Sequence, residues 1–315
     1  MDVDLVVVPE VNRCFYGAHR TLTRRIGGWR RIRPQTVQYR AVSAALALII
    51  FGSGVAAGGV GALLGIGGGV FFVPLLNVAL RFPLRTAAAI SLASVIATSS
   101  AVSARRTGQH LINLRLGMVL EVATVAGSLL GGLTAIFFSE KALQRLFAAV
   151  MVFGAVAVLA RVNRRNVSRD ANLDFGWLGG QFHEDESGGT VTYRVKRLPV
   201  AMLASFFAGN VSSLLGIGGG VFKVPALNAW CGVPLRVAAA TSAFMIGVTA
   251  TSGAIIYYGR GDLPVLAAAP AILGVQIGSW AGLKLTDRLP AKVLKVLLVV
   301  VMTAVAALML FRSVR

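Results

Sequence analysis

The sequence predicts an all-α polytopic membrane protein built as two homologous repeats of about four transmembrane helices, each with a Gly-broken short half-helix. Composition is the first observation behind this. Of 315 residues, 56% are hydrophobic and 14% charged, with a mean hydropathy of +0.75, too apolar and charge-poor for a soluble domain of this length. The second is an internal echo. Leu63-Leu64-Gly65-Ile66-Gly67-Gly68-Gly69-Val70-Phe71-Phe72-Val73-Pro74 returns as Leu214-Leu215-Gly216-Ile217-Gly218-Gly219-Gly220-Val221-Phe222-Lys223-Val224-Pro225, an offset of 225 − 74 = 151. Asn77/Asn228, Pro83-Leu84-Arg85/Pro234-Leu235-Arg236, Ser91/Ser242 and Gly127-Ser128/Gly278-Ser279 keep that register, which marks a duplication. The third is the length of the apolar segments.

In chain order, a basic leader over 1–40 carries eight arginines against Asp2, Asp4 and Glu10 and lacks the early apolar core of a cleavable signal. It reads as a cytoplasmic anchor that retains topology and can touch anionic lipid. The first repeat, 41–160, holds apolar segments at Ala41–Leu64, Gly69–Leu80, Thr86–Ala104, Leu116–Phe138 and Ala142–Ala160. A polar cytoplasmic linker over 161–197 follows, with a small β-hairpin around Thr190-Val191-Thr192-Tyr193. The second repeat, 198–315, has segments at Leu198–Leu215, Gly220–Cys231, Val237–Tyr258, Pro264–Leu285 and Ala291–Phe311. Four of each five approach the ~20 residues that a ~30 Å hydrocarbon slab requires. The second of each five would make a helix of only about 18 Å.

Eight crossings would leave the copies parallel, and ten would invert the second. Basic residues favour eight with the amino end inside, because the Arg105-Arg106-Arg115 loop, the linker and the tail with Arg312 and Arg315 then share the cytoplasm. Lys284, Arg288 and Lys292 fit that arrangement poorly, so ten stays open.

Four glycines in five positions cannot propagate an α-helix cheaply, so the helix breaks at each cluster. Inside a bilayer, broken backbone is tolerated only where protein covers it or it lines a cavity. Paired Gly-interrupted segments in two halves point to a transporter's central site. Clusters of the form LGIGGG-x-x-x-VP, one per half of a polytopic chain of this size, resemble the TauE/SafE family of membrane transporters over about Val42 to Phe311. That resemblance implies a sulfur oxyanion or organosulfonate, such as sulfite or sulfoacetate, as substrate.

The residues themselves point to an anion. Free N–H groups and the helix dipole at a half-helix start favour negative charge, which nominates Gly65, Gly67, Gly68, Gly69, Gly216, Gly218, Gly219 and Gly220. Lys223 replaces Phe72 and adds a cation one turn further, unless it snorkels to the interface. Asn77 and Asn228 can donate to an oxyanion or hold opened backbone, and Ser91 and Ser242 recur in both halves. Glu121, the one carboxylate in a predicted span, is a proton-coupling candidate with no counterpart at Ile272; reaching the interface or pairing with an arginine is its alternative. Gly127/Gly131 and Gly278/Gly282 have the small-x-x-x-small spacing of close helix packing.

Other classes lack support. The net charge of +19 sits mostly in loops and tails, without the aromatic interleaving of a nucleic-acid face. No strand precedes the glycines as a dinucleotide fingerprint requires. Cys14 and Cys231 supply neither a disulfide framework nor metal spacing, and His19, His110 and His183 lie in the leader and loops, so no metal or cofactor is expected. The spans hold no nucleophile–base pair, which argues against an enzyme. The sequence therefore predicts a secondary transporter moving a small anion across the cell (inner) membrane by alternating access. A passive anion channel and a non-transporting assembly protein are the alternatives. Its partners are the anion and the lipid bilayer, with homo-oligomerisation left open.

Overall fold

The computed structural model describes residues 43–64, 67–107, 111–159, 176–184, 189–286 and 291–314. The leader, Gly65 and much of the linker lie outside them. The first five helices are α1 (Ala44–Leu64), α2 (Gly69–Pro74), α3 (Leu84–Thr107), α4 (Leu114–Thr134) and α5 (Glu140–Leu159). A π-turn, Leu75–Ala79, prolongs α2 beyond Pro74, whose missing N–H interrupts the helical ladder. Strands β1 (Gly180–Glu184) and β2 (Gly189–Tyr193) pair antiparallel, the expected hairpin. Then come α6 (Leu198–Leu215), α7 (Gly220–Ala229), α8 (Leu235–Gly259), α9 (Val265–Thr286) and α10 (Ala291–Val314).

Among the described residues, six helices are long and apolar enough to cross a membrane. Large apolar side chains such as Leu48, Val122, Leu273 and Phe311 stay exposed on them, as lipid contact requires. The chain is a multi-pass membrane protein.

The long helices pair across the chain, α1 with α9, α4 with α6, α3 with α8 and α5 with α10. Glycine sets two of these pairings. A Cβ at Gly278 or Gly282 would collide with the carbonyls of Val55 and Gly59, and one at Gly127 or Gly131 with those of Phe206 and Asn210. Close backbone approach supplies the dispersion contacts that hold helices together where lipid removes the hydrophobic drive. Arg85 and Arg260 close the end of α4 by donating to the carbonyls of Ile136, Phe138, Gly132 and Leu133.

The same contacts give helix directions. Gly127 meets Phe206 and Gly131 meets Asn210, so α4 and α6 run parallel. Gly117 lies against Thr241 and Gly132 against Ile256, so α4 and α8 also run parallel. Thus α6 and α8 point the same way, and the chain between them must return across the bilayer. A half with four passes would alternate its long helices; α6 and α8 do not alternate, which fits the ten-pass arrangement that the sequence leaves open. The break makes the return feasible, because ten residues of α7 span about 15 Å and the four non-helical residues 216–219 reach up to about 13 Å more.

Helix α3 runs against α8, since Leu92 sits by Gly253 while Ser99 Oγ donates to the Ala243 carbonyl at 2.5 Å. The short turn 260–264 folds α9 back from α8, and α1 runs parallel to α9 through Phe51–Gly274 and Val55–Gly278. Helices α1 and α6 therefore start on opposite faces.

Candidate functional site

The two glycine breaks meet in the middle of the protein. Gly67 and Gly218 both adopt φ +80°, a left-handed conformation open to glycine at little cost. Both sit against the same two side chains, Val95 of α3 and Ile246 of α8. Gly68 and Gly219 cap α2 and α7, whose first residues are Gly69 and Gly220. Gly69 is pressed against Gly216 and Ser91, and Ser91 Oγ donates to the Gly216 carbonyl at 2.7 Å. One half's serine thus clasps the other half's break. Ser242 Oγ is buried with no partner among the described residues. A cavity of about 10 Å³ opens beside Gly67, Thr98 and Ser99, enough for a water at most.

One helical turn along α8 from Ile246 lies a second cluster. Lys223 Nζ donates to Thr249 Oγ1 at 2.8 Å. That hydroxyl in turn lies 2.8 Å from Glu121 Oε1 and 2.9 Å from the Met245 carbonyl, and its single proton serves one or the other. Lys223 Nζ is 3.8 Å from Glu121 Oε2. Lys223 is 1% exposed and Glu121 7%. Lys223 therefore does not snorkel, and Glu121 pairs with a lysine rather than an arginine. Glu121 Oε2 accepts no hydrogen bond among the described residues, which leaves its charge under-compensated. The Thr249 carbonyl accepts from Ser128 Oγ and Ser252 Oγ, fixing α8 at this level.

The asparagines are elsewhere. Asn77 Nδ2 donates to the Phe82 carbonyl at 2.8 Å, and Asn228 Nδ2 to the Val233 carbonyl at 2.9 Å. Each closes the exit of its short helix onto the residue five further on. Glu140 and Gln144 occupy the rest of the Asn77 amide, and Arg312 donates to the Asn77 carbonyl. Holding opened backbone, the alternative to ligand contact, accounts for these bonds.

Of the sequence candidates, the structure joins the glycines with Ser91 at one knot, and Lys223 with Glu121 at another. Thr249, which the sequence analysis does not nominate, joins Lys223 to Glu121. Two signals could have found it. It lies on the α8 face of Ser242 and Ile246 at helical spacing, and it answers Thr98 at the offset 249 − 98 = 151. At the other end of α4, Asn113 caps the helix by accepting from the Leu116 N–H, and it donates to Tyr193 of the hairpin at 2.9 Å. Burial pushes the Tyr193 hydroxyl above its ordinary pKa, with the Asn113 bond pulling it back.

Among the described residues no group of His, Cys, Asp and Glu is placed to hold a metal ion.

Comparison with known proteins finds membrane transporters. A family model described as sulfite exporter TauE/SafE matches residues 50–309. The chain is 24% identical over 268 residues to the "Probable membrane transporter protein YunE" of Bacillus subtilis, covering 83% of this chain and 96% of that one. It is 25% identical over 248 residues to the "Probable membrane transporter protein YdhB" of the same organism, covering 79% and 92%. It is 23% identical over 253 residues to the "Probable membrane transporter protein MJ0441" of Methanocaldococcus jannaschii, covering 76% and 85%. No solved structure matches.

Proposed function

The chain belongs to the TauE/SafE sulfite exporter family, and on that premise we propose that it is a secondary transporter of a small sulfur anion, an organosulfonate or sulfur oxyanion such as sulfoacetate or sulfite. The observation that carries the reading is Lys223, a cation buried one turn inside a glycine-broken helix. A buried lysine is costly in a membrane interior and is kept where charge has to be met. The names of the family and of its relatives support transport as the activity.

Alternating access is the mechanism we favour. The two halves, offset by 151 residues (Pro225 − Pro74), would be related by a two-fold axis in the membrane plane, a reading supported by the antiparallel course of the equivalent helices α3 and α8. Rocking of such inverted halves about the knot of Gly67, Gly218, Val95 and Ile246 would expose the site to each face in turn. The cavity of about 10 Å³ by Gly67 is too small for a sulfur oxyanion, so the halves would have to part there to admit one. We place the protein in the cell membrane with its arginine-rich leader on the cytoplasmic side.

The test is counterflow of labelled sulfite, sulfoacetate, thiosulfate and chloride in proteoliposomes. Exchange of one sulfur anion, without competition by chloride, is the expected result. Absence of exchange for all three sulfur anions overturns the substrate class. Accumulation against a gradient separates a carrier from a channel.

A further inference from the structure

We infer that Glu121 is the group that loads a proton, and that its protonation releases Lys223 to the substrate, so that one proton and one anion cross together in the same direction. The inference rests on the anion-transport reading above. It begins from the charge of the cluster. With Glu121 ionised and Lys223 protonated, the buried pair is neutral. A singly charged anion arriving alone would leave one net negative charge in an apolar interior, which is strongly disfavoured. A singly charged anion arriving with a proton leaves Lys223 facing the anion, Glu121 uncharged, and the site neutral again.

The local geometry suits that exchange. Glu121 Oε2 is buried without a hydrogen bond among the described residues, so a proton can add there without displacing a donor. Lys223 keeps its own proton throughout and trades a carboxylate for the anion as its partner. Thr249 covers both states. Its hydroxyl holds Lys223 and can turn its proton from Glu121 Oε1 to the Met245 carbonyl, 2.9 Å away, so no polar group is stranded.

Few other charges face the pair. Helix α6, packed on α4 and α7, carries no titratable side chain. Helix α8 brings Arg236 at its start and Tyr257 and Tyr258 near its end, with Thr249 between. Helix α7 contributes Lys223 alone. Helix α5 has Glu140, Lys141 and Arg145 in its first turns, but it touches α7 further along, where Phe153 stacks on Phe222 and Gly154 meets Val221. On α4, Arg115 precedes Glu121 by six positions (121 − 115).

The second half of the argument comes from the other repeat. The positions 151 residues from Lys223 and Glu121 are Phe72 and Ile272 (223 − 151 = 72; 121 + 151 = 272). Both charges are thus departures from an apolar pattern, and the two departures touch each other. Packing alone does not call for them, because the other half does without.

The test uses methanesulfonate, whose charge is constant across the pH range, and sulfoacetate as a second probe in proteoliposomes of the full chain. In the wild type, net methanesulfonate uptake should acidify the lumen, one proton per anion. An inward proton gradient should then concentrate the anion about tenfold per pH unit, independently of a clamped membrane potential. Glu121→Gln, which cannot take up the proton, should lose proton-driven accumulation, its methanesulfonate ratio falling to about one. Wild-type uptake without proton movement, or with protons moving the opposite way, overturns the inference even if no variant folds. Proton-driven accumulation by Glu121→Gln also overturns it. Absence of all counterflow in the wild type for every sulfur anion instead overturns the substrate reading, and this inference with it.

Discussion

Lys223 and Glu121 face each other at 3.8 Å across the Thr249 hydroxyl, at the two positions where the other half carries Phe72 and Ile272. The pairing separates what the charges do for stability from what they do for transport. Either single change, Lys223→Phe or Glu121→Ile, strands a buried charge and should cost about 3–5 kcal/mol. The double change restores the apolar pattern of the other half and should recover most of that loss, while anion counterflow falls to background. Thermal unfolding of the four proteins in detergent gives the cycle. Full transport by the double variant would reduce the pair to packing.

Thr249→Val removes a hydroxyl of nearly the same shape and leaves one donor of Lys223 and one acceptor of Glu121 unmet. Counterflow should drop about tenfold or more. Thr98→Val, at the equivalent place where, among the described residues, the hydroxyl bonds its own helix at Ser94, should change flux less than twofold. Equal effects of the two would remove Thr249 from the site.

Asn228→Ala should lower stability by about 1–2 kcal/mol, because the Val233 carbonyl loses its donor, with the apparent KM for sulfoacetate unchanged. A tenfold rise in KM at unaltered unfolding temperature would instead make Asn228 a ligand.

Gly131→Leu and Gly282→Leu drive side chains into the facing backbones of Asn210 and Gly59 and should abolish recovery of folded protein. Gly52, also on α1, has nothing within 4 Å of an added Cβ. Gly52→Ala should be neutral or stabilising by up to about 1 kcal/mol.

Sidedness tests the helix directions. In a background with Cys14 and Cys231 replaced by serine, Ser43→Cys at the mouth of α1 and Gln181→Cys in β1 should react with an impermeant maleimide from opposite sides of sealed vesicles. Labelling of both from the same side would restore an even number of passes per half.

Much of this arrangement is written locally. The short helices start at Gly69 and Gly220 because glycine runs end helices, and the glycine pairs of α4 and α9 meet backbone because nothing else fits there. The hairpin at Thr190–Tyr193 follows from β-branched alternation beside glycine. Direction is another matter. A twelve-residue apolar stretch has the same composition whether it returns to its own face or carries the chain across. The meeting of Glu121 with Lys223 was also beyond local reading, since it depends on α4, α7 and α8 converging. Its trace in the sequence is the pair of apolar counterparts, Phe72 and Ile272. An amide near a break, such as Asn77 or Asn228, can serve either purpose in the sequence, and the bonds to Phe82 and Val233 become visible only in the fold.

The cross-pairing of helices bears on how the protein is made. When a ribosome has delivered α1 to α5, the glycine stripes of α1 and α4 have no cover, since α9 and α6 are still to be synthesised. A nascent first half must therefore wait in the membrane with its tightest packing surfaces turned to lipid or to an insertion chaperone. Separately expressed halves should each be degraded, and become durable only when produced together.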